Sequence, residues 1–284
     1  MTRRLSLLVA VLLILAWVVS ATAHEEPSKT AAELTEDAEE RAQMSRLGIA
    51  AQEVWVIKAE TGDDSTRWYE NRYDRDGNLV EQVVFGDVGQ SRSVSLYDHN
   101  GAWFEEMSYR GDSLEDRTVF VYNEDGLIRR IASHDRRGDV MGRLDYDYLP
   151  DDGLIAATKH GSGDSLQYTL VYRYEPGGTY RQQLGAVKSD ADGSQIMRVA
   201  NLFGGDLRSR KDVFGPDDEL LYWFTYTYTA DREFEEIVKR LPGDTVALIQ
   251  RYVYDEDGLI ASVTETDADG AVLRTIYYRY RHFE

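Results

Sequence analysis

The sequence predicts an all-β protein built from tandem antiparallel β-hairpins, with a short helix near its N-terminus. Three observations carry this reading. Apolar and aromatic residues alternate with polar ones at period two through most of the chain. A phrase of the form aromatic-Asp-x-x-Gly-x-apolar keeps returning between those runs. The 284 residues include 19 Tyr and 23 Gly, the composition of aromatic-rich strands joined by tight turns.

The first 23 residues read as a cleaved secretory signal peptide. Arg3 and Arg4 form a charged start, Leu5 to Val19 is apolar apart from Ser6, and Ala21-Thr22-Ala23 is an A-x-A cleavage site. The apolar run is short for a membrane span, which takes about 20 residues. Residues 24–50 are a helical spacer rich in Ala and Glu. Thr30 and Glu33 have capping-box spacing, and the expected helix runs from about Ala31 to Leu47 with a weak stripe of Leu34, Ala38, Ala42 and Leu47.

From residue 51 to 284 the period changes to two. In LQYTLVYRY, Leu166, Tyr168, Leu170, Tyr172 and Tyr174 share one face while Gln167, Thr169, Val171 and Arg173 share the other. YWFTYTY places Tyr222, Phe224, Tyr226 and Tyr228 together. RLDYDY does the same with Leu144, Tyr146 and Tyr148.

Turns separate these runs. Clear copies start at Tyr73 (YDRDGNL), Tyr97 (YDHNGAW), Tyr122 (YNEDGLI), Tyr174 (YEPGGTY) and Tyr254 (YDEDGLI), with YLPDDGL at Tyr148 carrying one extra residue. A second set lies between them: FGDVGQS at Phe85, YRGDSLE at Tyr109, HDRRGDV at His134, HGSGDSL at His160, SDADGSQ at Ser189, FGPDDEL at Phe214 and TDADGAV at Thr266. Weaker copies near Asn201, Tyr228 and Leu241 bring the series to 16 starts between residues 73 and 266, a mean step of about 13. TGDDS, residues 61–65, extends it upstream. Thirteen residues make one strand and one turn, so the chain holds about 16–18 strands in up-and-down order. An open twisted sheet rarely exceeds about ten strands, so the sheet is expected to curl, flatten or close.

The best-matching phrases are Tyr73-Asp74-Gly77-Leu79, Tyr122-Gly126-Ile128 and Tyr254-Asp255-Gly258-Ile260, each followed by a strand. This pattern resembles the YD repeats of RHS/YD-repeat proteins and, more loosely, MORN-like repeats of bacterial antitoxin-type proteins. The resemblance covers about Trp68 to Tyr280. It implies extended β-sheet that either spirals into a shell around a toxin or binds surface ligands. This chain is far shorter than a toxin-enclosing cage, so the resemblance points to a secreted or envelope β-repeat protein.

Composition narrows the partners. Net charge is −19, and −21 once the two arginines of the signal are removed, which argues against nucleic acid and anionic lipid. There is no cysteine, hence no disulfide and no thiol chemistry.

The sequence nominates no catalytic, cofactor-binding or metal-binding residue. The pairs Asp74/Asp76, Asp190/Asp192, Asp255/Asp257 and Asp267/Asp269 resemble the start of a calcium loop, but each runs into an apolar strand without the further ligands such a loop needs. They are read as turns. His24, His99, His134, His160 and His282 lack zinc spacing, and GSGDS (161–165) lacks the context of a nucleophile loop. Trp55, Trp68, Trp103 and Trp223 are read as packing on strands, with sugar stacking as the functional counterpart.

The expected function is non-catalytic binding of a glycan or protein at the bacterial cell envelope, after export to the periplasm or cell surface. Three other readings stand beside it: a carboxylate-dependent hydrolase of envelope glycans, a scaffold or immunity-type partner of a toxin, and an outer-membrane β-barrel. The last has the strand number and the signal in its favour. Charged strands such as SLEDRTVF, and short turns at both ends, speak against stable membrane insertion. The sequence sets no oligomeric state.

Overall fold

The structure, a computed structural model, describes residues 31–59, 65–86, 89–149, 154–174 and 182–284. The expected signal segment, Thr30, most of TGDDS and parts of FGDVGQS, YLPDDGL and YEPGGTY lie outside the described residues.

One helix, α1 (Ala31–Leu47), leads into 18 strands. They are β1 (Ile49–Lys58), β2 (Ser65–Tyr73), β3 (Leu79–Gly86), β4 (Gly89–Tyr97), β5 (Trp103–Arg110), β6 (Ser113–Tyr122), β7 (Ile128–Asp135), β8 (Val140–Leu149) and β9 (Leu154–Gly161). Then follow β10 (Leu166–Tyr174), β11 (Gln183–Asp190), β12 (Gln195–Gly204), β13 (Leu207–Phe214), β14 (Leu220–Tyr228), β15 (Phe234–Leu241), β16 (Thr245–Tyr254), β17 (Ile260–Thr266) and β18 (Val272–His282). Each strand pairs antiparallel with its neighbours in sequence, and β1 pairs with β18 as well as with β2. The expected meander is therefore a closed barrel. Closure leaves no strand edge, which is how a sheet of this size avoids templating aggregation.

The recurring phrase forms one turn geometry. In the turn after β16, Asp255 N–H donates to the Leu259 carbonyl (2.8 Å) and Gly258 N–H to the Asp255 carbonyl (3.1 Å). The Asp255 carboxylate accepts from the amides of Asp257 (3.0 Å) and Leu259 (2.9 Å). Gly258 has φ +75°, so this is a tight turn closed by a left-handed residue and a bulge, and the register shifts at Val253/Tyr254. Asp74, Asp98, Asp135, Asp190 and Asp267 accept the same pair of amides, and Asn123 does so with its amide oxygen. The weak copy near Tyr228 folds alike, with Thr229 as acceptor and Arg232 at φ +71° where the others have Gly.

The tyrosine that opens each phrase has a second task. Tyr254 on β16 donates its hydroxyl to the carbonyl of Phe234, the first residue of β15 (3.1 Å). Tyr97, Tyr122, Tyr148, Tyr228 and Tyr280 repeat this to Leu79, Trp103, Ile128, Arg208 and Ile260 at 2.6–3.0 Å. Each acceptor is the first or second residue of the preceding strand. Even-numbered strands all end at this rim, so the tyrosines tie one turn to the next around it.

Helix α1 sits on the same rim, and of the predicted stripe Leu47 takes part while Ala38 and Ala42 do not. Ala38 and Ala42 are exposed; Gln43 and Met44 are buried, with Leu47 beside them. Met44 packs with Ile49, Tyr73 and Leu259. Arg41 reaches the Gly101 carbonyl (2.6 Å) and Ser45 the Arg75 carbonyl (2.9 Å), so the helix face is chosen by the turns it must cover. Tyr73 is the first tyrosine of the series and has no earlier turn to reach; its hydroxyl instead contacts the Glu40 carboxylate of α1 (3.4 Å).

The inner face buries two clusters. One joins β1, β2 and β14–β18 around Val54, Tyr226, Tyr252, Val263, Ile276 and Tyr278. The other joins β6–β10 around Phe120, Ile128, Tyr146, Ile155 and Tyr172. Each fully buried Ile or Val stabilises the fold by roughly 1.5–3 kcal/mol relative to exposure. β4, β12 and β13 lie between them and contribute to neither.

Two substitutions test this account. A Cβ on Gly77 would lie 2.0 Å from the Arg41 carbonyl oxygen, whereas one on Gly126 would meet nothing within 4 Å; both glycines have positive φ. Gly126→Ala is expected to cost about 1 kcal/mol from backbone strain alone. Gly77→Ala should lower the melting temperature further and loosen α1, as seen by proteolysis of residues 31–47. Tyr254→Phe, which strands the Phe234 carbonyl, is expected to cost about 1 kcal/mol or somewhat more in urea denaturation.

Candidate functional site

Alternation gives the barrel two walls of different chemistry. In β18, Ile276 and Tyr278 are buried inward, while Tyr277, between them, is 41% exposed outward.

The outer wall is laced with ion pairs within and between strands. Glu70 on β2 is buried beneath Arg67 (2.5 Å), Arg72 (3.0 Å) and Arg281 (2.8 Å). Burial would raise its carboxyl, but the hydrogen bond and charge of Arg72, with the charges of Arg67 and Arg281, outweigh this and hold it below the ordinary carboxylate value. The pattern continues around the wall in Arg72–Glu81, Arg117–Glu105, Arg130–Asp145–Arg143, Arg210–Asp212 and Arg251–Glu236. Guanidinium groups also lie over outer aromatic rings: Arg279 over Trp55 (5.5 Å), Arg67 over Phe85 (4.8 Å) and Arg210 over Trp223 (5.1 Å).

The inner wall is graded. Towards the tyrosine rim it is aromatic and buried. An amide cluster interrupts it two residues from Tyr73: the Asn71 amide donates to Gln52 (3.0 Å) and accepts from Gln82 (2.9 Å). Further down it becomes polar. Arg274 grips Glu265 with two nitrogens (2.6 and 2.9 Å), and Gln250 donates to the same carboxylate (3.0 Å). Lys188 lies 4.3 Å from the Tyr168 ring centre and Lys239 4.3 Å from that of Tyr222. Lys159 pairs in register with inward Leu144 and Tyr168, and Lys211 with inward Phe224, so both face the same space. Burial lowers the affinity of Lys239 for its proton.

The residues singled out in the sequence divide accordingly. The Asp pairs of the turns spend their leading carboxylate on backbone amides. Those amides hold Asp98 and Asp135 below the ordinary value. Among the described residues no group of three or more His, Asp or Glu is placed to hold a metal ion. His134 and His160 contact turn carbonyls at Gly138 and Asp164, both at 3.3 Å, and GSGDS is a hairpin tip with one 3-10 turn at Ser162–Asp164. Trp103 stacks inside on Phe120 (4.2 Å), whereas Trp55 and Trp223 belong to the outer wall. The inward lysines were not singled out by sequence, although strand alternation applied to Lys159, Lys188, Lys211 and Lys239 would have found them.

The protein is thus a closed, eighteen-stranded, antiparallel up-and-down barrel with a helix on one rim. No family model matches the chain, and no curated protein does. Among solved structures it is similar to a porin-like protein from Bacteroides uniformis, at 12% identity over 83% of this chain and 97% of that one, with a TM-score of 0.45. A porin-like protein from Bacteroides vulgatus gives 11% identity, 82% and 98% coverage and a TM-score of 0.32. At such values the likeness carries nothing about ligand or location.

The buried phenols set a pH dependence. Burial, assisted by nearby tyrosines and acids, raises Tyr69, Tyr73 and Tyr252 well above the ordinary value of 10.0. In the unfolded chain these groups ionise first, so their contribution is complete below about pH 10 and is lost as pH rises beyond it. Urea midpoints are expected to fall steeply above that pH, with most tyrosinate absorbance appearing together with unfolding rather than before it.

Proposed function

We propose that the protein is an exported, non-catalytic binding barrel of YD-repeat type, working in the periplasm or at the surface of a bacterial cell with a glycan or protein ligand. The observation that carries this is the ion-paired outer wall. In lipid, an Arg at mid-membrane costs roughly 2–4 kcal/mol. Here arginines and their carboxylates recur on β1 to β8, β12, β13, β15, β16 and β18. A wall of that kind suits water on the outside. The inner wall then offers the graded surface of tyrosine, amide and lysine that a ligand would read.

An outer-membrane barrel is the second reading. Full strand closure favours it, because only a closed sheet can satisfy its backbone in lipid, and Leu202, Val253 and Leu273 are exposed on the outer wall.

One preparation separates the two. Residues 24–284, made without the signal, are expected to fold and stay monodisperse in plain buffer and to remain unbound in liposome flotation. A requirement for detergent, with flotation of the folded barrel, would replace the first reading by the second. With the soluble protein in hand, a glycan array and an envelope pull-down should each be run. A blank result in both would sink the binding role.

A further inference from the structure

We propose that the inner wall from β9 to β15 is a track for an acidic, carboxylate-bearing glycan, with Lys159, Lys188, Lys211 and Lys239 as its charge contacts. This rests on the binding role above and names the ligand class for it.

The first support is sorting. The chain has six lysines and 26 arginines. Lys58, Lys159, Lys188, Lys211 and Lys239 all stand on inward-facing register positions, opposite Arg274, Leu144, Leu170, Phe224 and Phe224 or their neighbours. Most strand arginines lie on the outer wall. Alternation offers each strand residue either face equally, so five strand lysines all on one side make a segregated pattern. The two cations differ in use. Guanidinium suits fixed, bidentate pairs like those outside; ammonium is a compact, hydrated point charge on a flexible stem.

Placement is the second. Lys159, Lys188 and Lys239 are each the sixth residue of their strand, and Lys211 is the fifth of β13. These four strands all run down from the tyrosine rim. Lys211 and Lys239 both pair with Phe224, and strands about 4.8 Å apart put them roughly 10 Å from each other; Lys188 pairs with Met197 and Lys211 with Asn201, four residues further along β12, so that gap is wider, about 16 Å. All four are half-buried and so remain within reach of solvent.

The strands between supply the other half of the chemistry. Tyr168 on β10 and Tyr222 on β14 lie under Lys188 and Lys239. Aromatic faces accept the apolar faces of sugar rings, and ammonium groups accept their carboxylates. Two cations seated over aromatic faces, at the two ends of β11–β15, with Met197, Val199 and Asn201 of β12 between them, match a chain whose sugar rings stack at intervals and carry carboxylates.

The test uses the full mature chain, with an oligogalacturonate and a neutral oligogalactose of equal length as probes, in titration calorimetry. The wild type is expected to bind the acidic probe, more weakly as salt rises, and to bind the neutral one at least about tenfold more weakly. K159Q/K188Q/K211Q/K239Q should lose the acidic probe, and the outer-wall control R251Q/R279Q should keep it. If the fourfold variant does not fold, Lys188→Gln and Lys239→Gln singly should each weaken binding several-fold. Equal affinity for both probes, or binding untouched by the inner substitutions, would overturn the track and leave the glycan role standing. Failure of both probes, with a protein captured from the envelope, would overturn the glycan assignment and leave the binding role.

Discussion

The structure depends on one contact made over and over. A tyrosine at the end of an ascending strand reaches sideways and donates its hydroxyl to the first carbonyl of the strand before it. Tyr254 to Phe234 is one instance, and five others keep the same geometry. That carbonyl sits beside the turn bulge, where the ladder is irregular, and a part-buried acceptor gains from a partner there. The phenol satisfies it and lays an aromatic ring over the inner face in the same move. Turn, bulge and tyrosine are therefore one device. The Asp or Asn of the phrase fixes the turn, the bulge rotates the chain, and the tyrosine fastens that turn to its neighbour. Hairpins linked this way cannot splay into a flat sheet. The inward lean of each ring gives the sheet its aromatic side and its direction of curvature.

The helix completes this series. At Tyr73 no earlier turn exists, and α1 takes the vacant position with Glu40 near the hydroxyl and Met44 beside the ring. This also explains which face of α1 is buried. Gln43, Met44 and Leu47 face down because Tyr73, Leu259 and the turn at Gly77 lie beneath them. Ala38 and Ala42 of the sequence stripe carry little apolar area to compete.

Much of this was legible in the sequence. The strand period, the turn phrase, the helix span from Ala31 to Leu47 and a count of about 18 strands all follow from local chemistry, because each turn is built from residues within five of one another. Closure was only one of several permitted outcomes. It depends on Ile49 meeting His282 across the whole chain, and no local signal encodes that contact. The sorting of charge was hidden for a related reason. Alternation says that Lys159 and Lys188 lie on the same side as Tyr146 and Tyr172, but only closure makes that side an interior. The doubled role of Tyr254 was invisible too, since its acceptor lies 20 residues upstream.

The seam between β1 and β18 has a temporal meaning. Every other strand finds a partner made just before or just after it. β1 gains its second partner only when the last strand of the barrel has been synthesised. Until then the nascent polypeptide has an open flank at Ile49–Lys58, and ring closure carries the loop entropy of nearly the entire chain. The chain leaves the ribosome without being able to finish its own circle, and the final register is set only after the C-terminal strand arrives.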